Sequence, residues 1–169
     1  RLEGAKEFIR GESRWCIWLE DEDLPEISDI PLITKRINNV KRVRSESRGK
    51  QANEAAAFPH RFVYTPHTKG YSMLIPSVSS ERREYLPCGF FDDRSVIVAP
   101  NLVMYGSPQW CLSLVASRLH LVWIATVCGK LKTDFRYSNT LGWNTFPVPK
   151  LTEKNKEDLT RCAEDILLA

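Results

Sequence analysis

Apolar positions change their period several times along this chain, and the changes divide it into elements. The first run, Trp15-Cys16-Ile17-Trp18-Leu19, is short, apolar and bounded by polar residues, which predicts a buried strand. Residues 20–29 are acidic and include Pro25, so an irregular loop is expected there. After Pro31, a residue suited to a first helical turn, Ile33, Ile37 and Val40 recur at helical spacing and predict a helix ending before Gly49. Residues 62–65 and 71–78 predict paired strands joined by a turn at 66–70, and 84–87, 95–99 and 102–105 are further short strand candidates. Ser107-Pro108 then supplies an N-cap and a proline at the first helical position. The run to Cys128 is apolar nearly all round and predicts one long core helix ending at Gly129.

Beyond Gly129 the pattern becomes basic and aromatic, with Lys130, Lys132, Arg136 and Tyr137 in a loop before a predicted strand at 144–149. Thr152 caps a last helix whose Leu159, Cys162, Ala163, Ile166 and Leu167 form a narrow stripe that must dock on something. The expected fold class is therefore α+β: a short-stranded β core packed against a long buried helix, a basic helix in the N-terminal half and a C-terminal amphipathic helix. Residues 1–150 are expected to form the domain, and 151–169 the start of a C-terminal helical segment.

Composition narrows the class without naming it. The 169 residues are 43% hydrophobic and 27% charged, which suits a globular domain and not a disordered tail. No apolar run reaches transmembrane length, so no membrane partner is expected. Arg1-Leu2-Glu3-Gly4 reads as the middle of a longer protein. The five cysteines are odd in number, far apart and free of any C-x-x-C pair, which predicts reduced thiols in a cytoplasmic protein and neither a disulfide framework nor a zinc site.

Charge is modest in total and uneven in place. The chain carries a formal +3, yet Lys35, Arg36, Lys41, Arg42, Arg44, Arg48 and Lys50 stand against Glu46 alone in one window. That asymmetry fits an anionic partner, and it equally fits a solvated helix face.

Catalytic patterns do not emerge. His120 lies mid-helix between Leu119 and Leu121 and reads as a core histidine, while His60 and His67 have no cysteine or carboxylate at metal-ligand spacing. Cys128 and His120, eight residues apart on one helix, are separated by about 12 Å along the axis, too far for a nucleophile and its base. There is no G-x-G-x-x-G, Walker-type loop or H-E-x-x-H, and no Asn/Asp-Pro-Pro-Tyr/Phe tetrapeptide of the kind that holds the amine of a flipped base. The chain alone is expected to catalyse nothing and to bind no cofactor or metal.

A recognition constellation remains. Ser79, Ser80, Glu81, Arg82, Arg83 and Glu84 place hydroxyls, guanidiniums and carboxylates at one turn, and these groups are suited to guanine, cytosine N4 or phosphate. Pairing of the two glutamates with Arg82, Arg83 or the basic helix accounts for the same residues equally well. Trp15, Trp18, Trp110 and Trp123 read as core packing, and Trp143 is open to either role.

Several blocks in order carry a resemblance: R-W-C-I-W-L from Arg14, S-S-E-R-R-E-Y-L-P from Ser79, the helix with Ser117, His120 and Trp123, G-K-L-K-T-D-F-R-Y-S from Gly129 and N-T-F-P-V-P from Asn144. Together they resemble the target-recognition domain of MmeI-like DNA methyltransferases, single-chain restriction–modification enzymes of type IIG in the broad sense. The resemblance implies a parent enzyme that methylates adenine N6 with S-adenosylmethionine, with magnesium needed if it also cleaves. It implies double-stranded DNA and the methyltransferase domain of the same polypeptide as partners. Base readout is then expected from Ser79, Ser80, Glu81, Arg82, Arg83, Glu84, Tyr105, Ser107, Ser138, Asn139, Thr140, Leu141, Trp143 and Asn144. Phosphate contacts are expected from Lys35, Lys41, Arg42, Arg44, Arg48, Lys50, Lys130, Lys132, Arg136 and Tyr137. Two other classes fit the composition: a nonspecific nucleic-acid binder using the basic helix, and a protein-interaction module akin to a specificity subunit.

Overall fold

The computed structural model describes residues 1–64 and 67–169. Thr65 and Pro66, the end of one predicted strand and the start of one predicted turn, lie outside the described residues. Along the chain come β1 (Leu2–Glu3), α1 (Ala5–Arg10), α2 (Leu24–Ile27), α3 (Pro31–Ser45), α4 (Lys50–Glu54), β2 (Ser72–Ile75), β3 (Val78–Ser79), β4 (Gly89–Phe91), β5 (Val96–Ile97) and β6 (Leu102–Tyr105). Then follow α5 (Trp110–Ala116), α6 (Arg118–Val127), β7 (Gly129–Leu131), β8 (Asp134–Arg136), a π-helical turn (Asn139–Trp143) and α7 (Glu153–Leu168). The fold is α+β and divides into two compact units, residues 1–14 with 66–169 and residues 15–65.

In the first unit β2 is buried along its whole length, because both of its edges are paired. Met73 sits opposite Phe90 of antiparallel β4 on one side and Met104 of antiparallel β6 on the other. A second antiparallel sheet has the order β3-β8-β7, and β1 pairs in parallel with β5. Met73, Ile75, Leu86, Leu112, Val115, Leu121, Ile124 and Ala163 form the core between sheet and helices. Each large side chain buried there stabilises the fold by roughly 1.5–3 kcal/mol.

The expected single long helix is two. Ser117 takes an extended backbone conformation (ψ 149°), and α5 and α6 meet at a bend of 55°. The Ser117 hydroxyl accepts from the His120 N–H at 3.0 Å, so a new N-cap forms within an apolar run. Burial is also one-sided in α6, where Leu119 is 70% and Val122 63% exposed. The predicted strands at 84–87 and 144–149 are absent. Leu86 instead plugs the core from an irregular segment, while Pro147 and Pro149 lack the N–H groups that a ladder needs. In α7 the Thr152/Asn155 capping box sets the start, Ser113 Oγ donates to the Leu159 carbonyl at 2.6 Å, and Ala163 is fully buried. The stripe docks only in its middle, leaving Ile166, Leu167 and Leu168 exposed.

The second unit is helical. No strand forms at 15–19 or 62–64, since the unit has none among its described residues for either to pair with, and Trp15 is 72% exposed. Trp18 stacks on Phe62 at 5.4 Å, while Cys16, Ile17 and Leu19 line a cavity of about 290 Å³ with Ile33, Ile37 and Val40 of α3. The acidic segment expected to be a loop is helical over 21–27. Glu20 and Asp23 cap each other's backbone, and Pro25 sits in a first turn where its missing N–H costs nothing.

Candidate nucleic-acid interface

The β3-β8-β7 sheet joins two blocks far apart in sequence. Val78 lies opposite Arg136 and Ser79 opposite Phe135, while Lys130 faces Phe135 from the other edge. The basic stretch expected to be a loop is therefore a hairpin, turned at Lys132 with φ at 58°. Its Lys130, Lys132 and Arg136 are exposed, and the Lys130 ammonium lies 6.0 Å from the Phe135 ring centre. The hairpin also steadies the turn that follows β3, because the Glu81 N–H donates to Asp134 Oδ1 at 3.4 Å and Arg83 N–H to the Ser80 carbonyl at 3.1 Å.

On that turn Glu81, Arg82, Arg83 and Glu84 are exposed. Among the described residues none of these four side chains is held in an ion pair. Ser80 is half-buried and its hydroxyl accepts from the Arg82 N–H at 3.3 Å. Ser79 is different: it is 4% exposed and its hydroxyl is buried with no partner among the described residues. A side chain so enclosed cannot reach a base edge, so Ser79 is removed from the readout set.

Tyr105 ends β6 opposite Ser72 and is 44% exposed. Gly106 turns the chain there with φ at +57°, a conformation open to glycine, and its N–H donates to the Tyr71 carbonyl at 3.0 Å. The Ser107 hydroxyl is buried without a partner among the described residues and borders a cavity of about 330 Å³ with Tyr71, Phe90, Gln109 and Leu167.

The segment 138–144 is a tight, internally bonded turn. Gly142 N–H donates to the Ser138 carbonyl at 2.6 Å and Asn144 N–H to the Asn139 carbonyl at 3.0 Å. The Ser138 and Thr140 hydroxyls bond at 2.9 Å, and Asn139 Oδ1 accepts from the Thr140 N–H at 3.0 Å. Asn139, Thr140, Leu141 and Asn144 are exposed, and Trp143 is half-buried. Arg136, Ser138 and Asn139 line a cavity of about 400 Å³ with Leu102, Gly129 and Tyr137.

Tyr137, expected at phosphate, is a core residue. It is 5% exposed, its hydroxyl bonds His120 Nε2 at 2.9 Å, and burial, then the neighbouring Cys128 and Cys88, raise its pKa. His120 is fully buried, and desolvation lowers its pKa to about 4, so the imidazole is neutral near pH 7. Burial likewise pushes the Cys88 thiol up to about 12 and Cys111 to about 11, leaving both without nucleophilic character.

In the second unit Lys35, Lys41 and Arg48 are exposed on or after α3. Arg42 pairs with Glu46 at 3.3 Å and Lys50 with Glu54 at 3.9 Å, both exposed helical pairs that a stronger anion can displace. Arg44 is a correction: its guanidinium donates to the carbonyls of Ala55 and Phe58, each at 3.0 Å, and of Arg61 at 2.7 Å. It ties α3 to the following segment, with three of its five N–H donors engaged by carbonyls, so it is assigned to the fold and not to phosphate. Asp21 supports the same corner by bonding His60 at 2.8 Å and pairing with Arg61.

Gly142 and Asp134 were not singled out by the sequence as supports of the site, though both stood in view within or beside the blocks it named. A Cβ on Gly142 would lie 3.2–3.3 Å from Tyr137, Cys128 and Ile124, a proximity invisible without the fold. Among the described residues no three His, Cys, Asp or Glu side chains converge to hold a metal ion. No single helix there is long and apolar enough to cross a membrane.

Comparison with known proteins gives three findings. Residues 1–150 match the family described as MmeI, target recognition domain. DNA methyltransferase A of Bacillus subtilis (strain 168) is 38% identical over 164 residues, which are 97% of this chain and 19% of that protein. The structure of the type IIL restriction-modification enzyme MmeI in complex with DNA matches with a TM-score of 0.93 at 34% identity, covering 99% of this chain and 22% of that one. The chain thus spans about one fifth of the length of these relatives.

Proposed function

The chain belongs to the MmeI target recognition domain family, and from that premise we propose that it reads the sequence of double-stranded DNA for a methyltransferase carried on the same polypeptide. The observation that bears most weight is the exposed turn 81–84, free of ion pairs among the described residues and braced against the hairpin of Lys130, Lys132 and Arg136. Guanidinium and carboxylate groups that no internal partner satisfies are suited to base edges, while adjacent ammonium groups suit the phosphates that set the register.

Readout falls in this proposal to Ser80, Glu81, Arg82, Arg83 and Glu84, to Tyr105, and to Ser138, Asn139, Thr140, Leu141, Trp143 and Asn144, while Ser107, its hydroxyl enclosed like that of Ser79, is left out. Phosphate contacts fall to Lys130, Lys132 and Arg136, with Lys35, Lys41, Arg42, Arg48 and Lys50 of the second unit adding salt-dependent affinity. The target is adenine, methylated at N6 after it leaves the base stack. The residues present do not fit S-adenosylmethionine, for there is no glycine-rich loop to cradle it, so the donor is held elsewhere in the polypeptide. Magnesium is likewise a requirement of any cleavage domain and not of this chain. The working compartment is the cytoplasm, where the DNA is.

Sequencing of DNA methylated by the full-length enzyme tests the proposal. Arg83→Ala and Thr140→Ala are expected each to relax the methylated motif at one base pair. A motif left unchanged by both, with methylation still active, refutes readout by these two loops.

A further inference from the structure

The segment 138–144 exposes side chains from a backbone that lies unusually close to the core. Gly142 is buried, and a Cβ there would stand 3.2 Å from Tyr137 Cζ, 3.3 Å from Cys128 Sγ and 3.3 Å from Ile124 Cγ2. Tyr137, five residues earlier, is pinned by its hydroxyl to His120 at 2.9 Å. His120 in turn meets the edge of Trp143 at 6.0 Å and of Phe146 at 4.5 Å between ring centres, so α6 grips the segment before, within and after the turn. The turn itself is π-helical, a conformation that is rare and recurs at functional sites.

We propose that His120, Tyr137 and Gly142 are positioning residues for DNA specificity: together they fix the height and tilt of the turn from which Asn139, Thr140 and Leu141 are presented. This rests on the reading of 138–144 as a base-reading loop. The three act through other residues, being enclosed in the protein and unable to touch DNA. A side chain on Gly142 lifts the turn by a few tenths of an ångström, enough to misalign hydrogen bonds whose strength falls steeply with geometry. The role divides the segment into a fixed base (137 and 142) and an adjustable tip (139–141). Substitutions at the tip then exchange one base preference for another, whereas substitutions at the base blur preference without creating a new one.

The test uses the full-length enzyme and compares methylation rates on a cognate duplex and on single-base mismatched duplexes. Asn139→Ala and Thr140→Ala first establish whether the loop reads bases; if neither alters the ratio of rates, the reading of the loop fails and the proposal falls with it. If they do, Gly142→Ala is expected to lower discrimination about tenfold, the value of roughly one well-aligned base contact. Adding Cys128→Ala to Gly142→Ala removes one of the three close contacts on the new methyl, the sulfur at 3.3 Å, and is expected to restore part of it. An unchanged ratio in a folded Gly142→Ala enzyme overturns the positioning role. Should Gly142→Ala fail to fold, Tyr137→Phe decides: it removes only the hydroxyl, and unchanged discrimination refutes the role while a loss with normal salt dependence upholds it.

Discussion

Acid should destabilise this domain through one histidine. His120 is fully enclosed, donates or accepts only through Nε2, and has Nδ1 buried without a partner among the described residues, so the protonated ring finds no compensating acceptor beyond the Tyr137 hydroxyl. Its folded pKa of about 4 lies below the ordinary 6.5, which means the unfolded chain binds the proton first. Stability linked to His120 is therefore whole above pH 6.5 and is lost as pH falls through about 4. The linkage amounts to about 2 kcal/mol at pH 5 and about 3 kcal/mol at pH 4. Urea unfolding of the wild type and of His120→Gln between pH 7.5 and pH 5 measures it. The variant is less stable at neutral pH because ring packing is lost, but the gap should narrow by about 2 kcal/mol at pH 5. Glu3, raised by burial, acts in the opposite sense and cancels in the difference, because both proteins contain it. Parallel stability curves for the two proteins would show that His120 is not the group that protonates.

Arg44→Met strips three carbonyls of their donor and should cost at least about 2 kcal/mol, read by urea unfolding, whereas Arg42→Ala, which breaks only an exposed pair, should cost under about 0.5 kcal/mol. In the full-length enzyme Lys35→Ala with Lys41→Ala should lower affinity for all duplexes alike and reduce the salt slope by about one for each phosphate left without its ammonium partner, measured by titration at several salt concentrations. Ser117→Ala removes the cap that starts α6 and should lower stability by about 1 kcal/mol in thermal or urea melts; no change would mean that the bend holds without its cap.

Periodicity carried far in this chain where a pattern has one physical cause. Pro31 followed by Ile33, Ile37 and Val40 predicted α3, and the structure places the helix at Pro31–Ser45. The α+β class and the capped C-terminal helix were legible for the same reason, as was the family, whose blocks stand in order. Errors came where two causes give one pattern. A mostly apolar run that continues on both sides of Ser117 reads as a single helix, because the same hydroxyl residue is tolerated inside a helix and favoured at its start. Trp15 to Leu19 has the composition of a buried strand, but a strand needs an edge to pair with, and that is decided by the rest of the unit. Arg44 and Lys41 are alike in sequence, three residues apart on one helix. Only the fold shows that one is turned into carbonyl groups and the other into solvent.

The same distinction separates the tip of the proposed reading loop from its base. Under the proposed readout, exposed tips such as Asn139 and Thr140 are free to vary with the site, so their identity says little about their task. Tyr137 and Gly142 are restricted by what encloses them: a hydroxyl meets His120, and even a methyl at 142 would crowd Tyr137, Cys128 and Ile124 at 3.2–3.3 Å. Tyr137 was assigned to phosphate because aromatic and basic residues surround it in sequence, yet its neighbours in space are apolar and its hydroxyl is already bonded. A recognition loop of this kind separates two requirements that a sequence mixes together. Rigidity comes from residues that never see the DNA, and discrimination comes from residues that contribute little to the fold. Exchange of specificity by substitution is then feasible only while the first set is left intact, so the tip at 139–141 can be rewritten without disturbing the blocks on either side of it.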